Sequence, residues 1–189
     1  MTEQTFTVTV DVRELLTVFI PKLARQFVAI GGMAEELKGT ELTMNVDVSG
    51  SVYGYHIKDG VDFDIKEGAI DNPMVHLSIS LEGMAKLADM KYIDMLIGAQ
   101  GQLSKEKNSI LATLKGICDF NLKHDDGEVT RLTVTFNGAE TPRTAISISM
   151  DDVAALGSGK ELPVQLFMNG RMAVDGDIAF AMALQPLLT

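Results

Sequence analysis

From Phe167 to Asp177 the chain reads FMNGRMAVDGD, and from Ile178 to Leu188 it continues IAFAMALQPLL. The second stretch carries no charge: Ile178, Phe180, Met182, Leu184, Leu187 and Leu188 stand among Ala179, Ala181 and Ala183. A helix that is apolar all round must be buried on every side or cover something greasy. Asp177, after Gly176, is well placed as its N-cap. Two readings follow. The helix is a core element, or it is one wall of a lipid cavity in which flexible Met168, Met172 and Met182 adapt to ligands of varied shape.

Upstream, the hydrophobic period alternates between helix and strand. Leu15 to Leu37 places apolar residues at spacings of three and four, which predicts a helix interrupted near Pro21 and at Gly31-Gly32. After Gly39 the period becomes two: Leu42, Met44, Val46 and Val48 predict one strand, Tyr53, Tyr55 and Ile57 a second, Val61, Phe63 and Ile65 a third. Asp59-Gly60 is a hairpin turn. Val75, Leu77 and Ile79 predict a fourth strand, with helices expected over 81–97 and 104–115. The order then repeats: strand 117–123, turn at Asp126-Gly127, strands 129–136 and 144–149, helix 150–156.

At an offset of 69, Pro73 meets Pro142, Ser78-Ile79-Ser80 meets Ser147-Ile148-Ser149, Ala85 meets Ala154, Leu87 meets Leu156 and Gly101 meets Gly170. The reading is an internal pseudo-repeat of about 69 residues, set against two merely analogous half-sheets. Two units are expected, 1–103 and 104–189, with the helix 104–115 serving both.

Composition narrows the function classes. With 189 residues there is chain enough for a real core. Lys and Arg number 16 against 26 Asp and Glu, and the net charge of −10 repels phosphate backbones and anionic lipid surfaces. Nucleic acid is therefore not an expected partner, and membrane contact is at most transient. The single cysteine, Cys118, cannot pair within the chain, which suits a cytoplasmic protein. Met1 to Val10 lacks the basic and apolar regions of an export signal. No apolar run reaches the roughly 20 residues needed to span a bilayer.

Chemistry-bearing motifs are absent. There is no GxSxG elbow, phosphate-binding loop or dinucleotide fingerprint, so no cofactor is expected. His56, His76 and His124 are scattered and read as solvated strand residues, without metal-ligand spacing. Asp59, Asp62 and Asp64 read as the wet face of a strand and its turn. Asp151-Asp152 reads as capping and dipole complementarity at a helix start. No catalytic residue is assigned and no enzyme is expected.

The run Phe167 to Asp177 followed by the apolar helix resembles the C-terminal signature of the sterol carrier protein 2 family. Ala145 to Met150 with Asp152, Leu156, Gly159-Lys160 and Pro163 is similar to that family's preceding strand and helix. Leu114 to Leu122, Asp126-Gly127 and Leu132 to Gly138 are similar to its first helix and paired strands. Tyr53 to Gly60 and Asp71-Asn72-Pro73 before Val75 to Ser80 extend a weaker likeness into the first half, where the Gly-Asp cap is missing.

The resemblance implies an α+β fold: a twisted, mainly antiparallel sheet covered by helices, with an apolar tunnel between them. It implies non-enzymatic binding, or transfer, of a fatty acid, fatty acyl-CoA, phospholipid, sterol or quinone-like lipid. A sixteen-carbon chain buries about 15 methylenes at about 0.8 kcal/mol each. Association costs about 4–15 kcal/mol, so micromolar affinity is expected. The expected cavity wall is Ile148, Val153, Leu156, Leu166, Phe167, Met168, Met172, Phe180 and Leu184. Arg171 is the candidate cation for an anionic head group; read plainly, it is an exposed strand arginine. In the alternative reading the apolar helix packs solidly on the sheet or on a second copy of the chain, as an interaction or oligomerisation module without a ligand.

Overall fold

In strands with one dry face, alternation of apolar and polar residues decides which side is buried. The computed structural model describes residues 11–88 and 104–188. In it the alternating segments form β1 Glu41–Val48, β2 Ser51–Lys58, β3 Asp62–Glu67, β4 Val75–Ile79, β5 Gly116–Lys123, β6 Val129–Phe136, β7 Arg143–Ser149 and β8 Met172–Gly176. They join in one sheet of order β3-β2-β1-β4-β6-β5-β7-β8. Two neighbouring pairs, β1 with β4 and β5 with β7, are parallel, and the other five are antiparallel. The fold is α+β, as the resemblance implies.

The helices are α1 Val12–Glu14, α2 Ile20–Ile30, α3 Ala34–Leu37, α4 Leu81–Leu87, α5 Lys105–Thr113, α6 Met150–Gly157, α7 Pro163–Met168 and α8 Ile178–Leu188. Pro21 does not break the first helical segment. A π-helical stretch, Leu15–Phe19, joins α1 to α2 and leaves Pro21 in the first turn of α2, where its missing N–H costs little. The helix expected over 81–97 begins on Ser80, whose Oγ accepts from the Gly83 N–H; positions 89–97 lie outside the described residues. The Asp59-Gly60 turn has both residues at positive φ, and so does Ser49-Gly50, a second tight turn closing β1 on β2.

The halves share a pairing pattern. β1 is antiparallel to β2 and parallel to β4, while β5 is antiparallel to β6 and parallel to β7. Val48 pairs with Ile79 and Leu122 with Ile148, and the following Ser80 and Ser149 each cap a helix. One sheet crosses the expected boundary at 103/104, because β4 pairs with β6 from Val75↔Phe136 to Ile79↔Leu132.

Two apolar clusters line the sheet and merge through Met44, Leu87 and Leu132. In the N-terminal cluster Tyr55 is buried, and its hydroxyl donates to the Leu16 carbonyl at 2.8 Å. The C-terminal cluster holds Cys118 with Ile146, Leu166, Phe180 and Leu184, and each of the latter four side chains contributes about 1.5–3 kcal/mol by burial.

Candidate functional site

The C-terminal elements are placed by a chain of local signals. Ser149 Oγ accepts from the Asp152 N–H at 3.1 Å and starts α6. Pro163 opens α7 in the first turn, where proline is favoured. At its end Gly170 takes a φ of 69°, its N–H donates to Phe167 O, and the Arg171 N–H donates to Leu166 O, which closes the helix as a Schellman turn. That turn delivers Met172 into β8, where it pairs with Ile148 of β7. Asp177 Oδ1 accepts from the Phe180 N–H at 2.8 Å and caps α8, which folds back over β7 and β8.

This arrangement gives α8 two different apolar faces. Phe180 and Leu184 point into the core, while Ile178 and Met182, on the same helix and also four residues apart, are 60% and 56% exposed. The exposed face borders a groove. Its floor is Ile146, Met172 and Val174; α7 contributes Pro163, Val164 and Phe167; α8 contributes Ile178, Ala181, Met182, Gln185 and Leu188. Among the described residues no charged side chain lines it. The enclosed volume is about 50 Å³, whereas pockets that hold ligands have roughly 300–1,000 Å³. To hold a lipid chain, the groove must therefore widen by displacement of α7 or α8. A wider concavity at the ends of β1, β4 and β6 is polar and open, lined among others by Asp47, Ser78 and Arg131.

Of the residues expected to form a cavity wall, Phe167 and Met172 line this groove. Ile148, Leu156, Leu166, Phe180 and Leu184 lie in the solid core beside it, and Val153 packs against that core. Met168, 80% exposed, projects to solvent. Met182, one of the methionines expected to adapt to a ligand, lines the groove, and the α8 residues that sequence reasoning missed share its stripe: Ile178, Ala181 and Gln185 fall with it at i, i+3, i+4 and i+7.

Arg171 is not a free strand arginine. It precedes β8 and donates Nη1 to Glu161 Oε1 at 2.8 Å and Nη2 to Asp152 Oδ1. The hydrogen bonds it donates to Glu161 and then to Asp152 push the guanidinium pKa up further. Asp152 thus departs from the plain capping role: its side chain is buried beneath the guanidinium, and the cap is Ser149. His124 departs from the solvated reading too, since it is buried with Nε2 at 2.7 Å from Thr130 Oγ1. Asp59 Oδ1 accepts from the Gly39 N–H at 2.6 Å and braces its turn. Among the described residues no three His, Cys, Asp or Glu side chains gather as a metal site.

Among solved structures, the chain is similar to the sterol carrier protein domain 2 of Helicoverpa armigera. Identity is 28%, the TM-score 0.38, and the match covers 51% of this chain and 84% of that one. It is similar to apo sterol carrier protein 2 from Yarrowia lipolytica at 24% identity and a TM-score of 0.37, over 50% of this chain and 92% of that one. A protein described as UbiJ-SCP2, a ubiquinone synthesis protein, matches at 12% identity and a TM-score of 0.29, over 93% and 95% of the respective chains. No curated protein matches the sequence. The family model of the SCP-2 sterol transfer family matches residues 96–189. That segment, which carries α5 to α8 and every residue of the groove, belongs to the SCP-2 sterol transfer family.

Proposed function

We propose that the C-terminal unit binds the apolar chain of a lipid in the groove between α7, α8 and the β7–β8 edge, as a carrier that performs no covalent chemistry. The observation that supports this most directly is the outward face of α8. Ile178 and Met182 are exposed on a helix whose other face is core, beside exposed Val164 and Phe167 of α7. Clustered large apolar side chains around a groove mark a binding surface. Membership of residues 96–189 in a sterol transfer family supports the same reading. Fatty acids, acyl-CoA, phospholipids, sterols and quinone-like lipids are the candidate ligands.

The N-terminal unit, 1–103, serves in this reading as a support. Its β4 completes the sheet beside β6, and its own core is filled by Tyr55. The buried free thiol of Cys118 suits a reducing, cytoplasmic setting. No helix of the described residues is long and apolar enough to cross a membrane.

The test is native mass spectrometry of protein purified without detergent, with solvent extraction of whatever is released, on wild type and on Met182→Asp. A stoichiometric lipid in wild type that is lost from the folded variant is the expected result. Wild type that stays empty after incubation with all five lipid classes overturns the proposal. If Met182→Asp instead halves the mass of a homodimer, the α8 face is an interaction surface.

A further inference from the structure

We propose, resting on the reading of the groove as a lipid site, that α7 is the wall that moves to admit a ligand. The segment from Gly159 to Gly170 swings as a lid, and the ion pair between Glu161 and Arg171 latches it to the rest of the fold. A groove that encloses about 50 Å³ needs a mobile wall, and the two helices beside it are held very differently. α8 packs on β7, β8 and α5. It gives the core Phe180 and Leu184, backed by Leu187 and Leu188. α7, of six residues, rests chiefly on β8 and gives the same cluster Leu166.

Two glycines frame α7. Gly159 and Gly170 take φ of 68° and 69°, and a Cβ at either would meet nothing within 4 Å. The chain can turn at both points without striking a neighbour, which is what a hinge requires. Between the hinges lie Pro163, Val164 and Phe167, the side chains that α7 contributes to the groove.

The latch spans the second hinge. Arg171 stands just beyond Gly170, at the start of β8, and its Nη2 donates to Asp152 Oδ1 of α6, so it belongs to the fixed frame. Glu161 stands just inside Gly159, on the lid, and its Oε1 accepts from Arg171 Nη1 at 2.8 Å. None of these three side chains lines the groove; they fasten the foot of α7 and touch no ligand. The Arg171 and Glu161 side chains are 44% and 29% exposed, so water screens the pair. Such a pair shifts an equilibrium by about 1.4- to 5-fold, enough to set the open fraction without sealing the groove. Apparent affinity follows that fraction.

The test follows the lid itself and ligand entry, on the full chain. In wild type the amides of α7 should be less protected from hydrogen exchange than those of α8. In Glu161→Gln, protection of α7 should fall about threefold with α8 unchanged, and the stopped-flow association rate of N-phenyl-1-naphthylamine should rise about threefold. This probe is uncharged, so the lost carboxylate acts on it only through the lid. Asp151→Asn, which removes an exposed charge from α6, should match wild type in both readouts. Equal protection of α7 and α8 in wild type, or a Glu161→Gln variant that matches wild type in exchange and in association rate, overturns the lid. The groove reading then stands if Met182→Asp still loses the probe. A probe bound by neither wild type nor Glu161→Gln overturns both.

Discussion

The phenyl ring of Phe180 meets that of Phe136 edge-on, with centroids 6.2 Å apart and planes at 72°, so the inward face of α8 is locked to β6. Phe180 is therefore a core residue and a poor reporter of ligand binding. Phe180→Ala should cost about 3–5 kcal/mol, and Met182→Ala, two residues on and on the exposed face, no more than about 0.5 kcal/mol. Urea unfolding of both variants checks the split. Equal costs would mean that α8 does not present two different faces.

Gly116 sits where that ring leaves no room. Its φ is 139°, and a Cβ there would lie 2.6 Å from the Pro142 carbonyl oxygen and 2.7 Å from the Phe180 ring. Gly116→Ala should destabilise by at least about 2 kcal/mol, from overpacking and from backbone strain. A melting temperature equal to that of wild type would refute this.

Cys118 is fully buried, and burial pushes its thiol up from 9.0 to about 12, with the neighbouring Asp119 charge adding to the shift. The unfolded chain releases this proton from about pH 9 while the folded one retains it, so the folded state binds more protons and stability falls as pH rises. The slope between pH 9 and 12 should approach about 1.4 kcal/mol per unit. Denaturant midpoints at pH 8, 9 and 10 should show the decline, and Cys118→Ala should lack it. The native thiol should also resist disulfide reagents at pH 8 and react only after unfolding.

On the face of the sheet opposite that thiol, Arg143 donates Nε and Nη2 to Asp119 at 2.6 and 3.0 Å, and Thr133 Oγ1 donates to it at 2.8 Å. The Arg143 hydrogen bond holds the Asp119 carboxyl below the usual carboxylate range, with Thr133 assisting. This stability is present above the unfolded pKa and disappears as pH falls through the lowered folded value. Asp119→Asn should cost about 1 kcal/mol at pH 7 and nothing once the wild-type carboxyl is protonated. A cost that persists at low pH would assign the role to packing.

The strands were legible because period-two alternation forces one face inward: Val46, Val48, Ile146 and Ile148 are all buried. The caps at Ser80, Ser149 and Asp177 are local interactions between residues three apart, and sequence reasoning placed the Asp177 cap. The site was legible to the level of α8. The expected cavity wall includes Phe180 and Leu184, yet apolar character does not say toward which neighbour a residue points. Once Phe180 packs on Phe136, the stripe through Ile178, Ala181, Met182 and Gln185 must face α7.

What the sequence determined by itself was local: seven alternating strands, the hairpin turn at Asp59-Gly60, an uncharged terminal helix, and the family signature from Phe167 to Asp177. Only tertiary structure decided that β4 would join β6 in one sheet, that the groove would lie outside Phe180 and not beneath it, and that Arg171 would be held by Asp152 and Glu161. The reason is range. Periodicity and capping act between residues within a few positions of each other, whereas β4 meets β6 across more than fifty residues and Arg171 meets Asp152 nineteen residues away. Such contacts depend on which faces remain unburied after the local elements have formed.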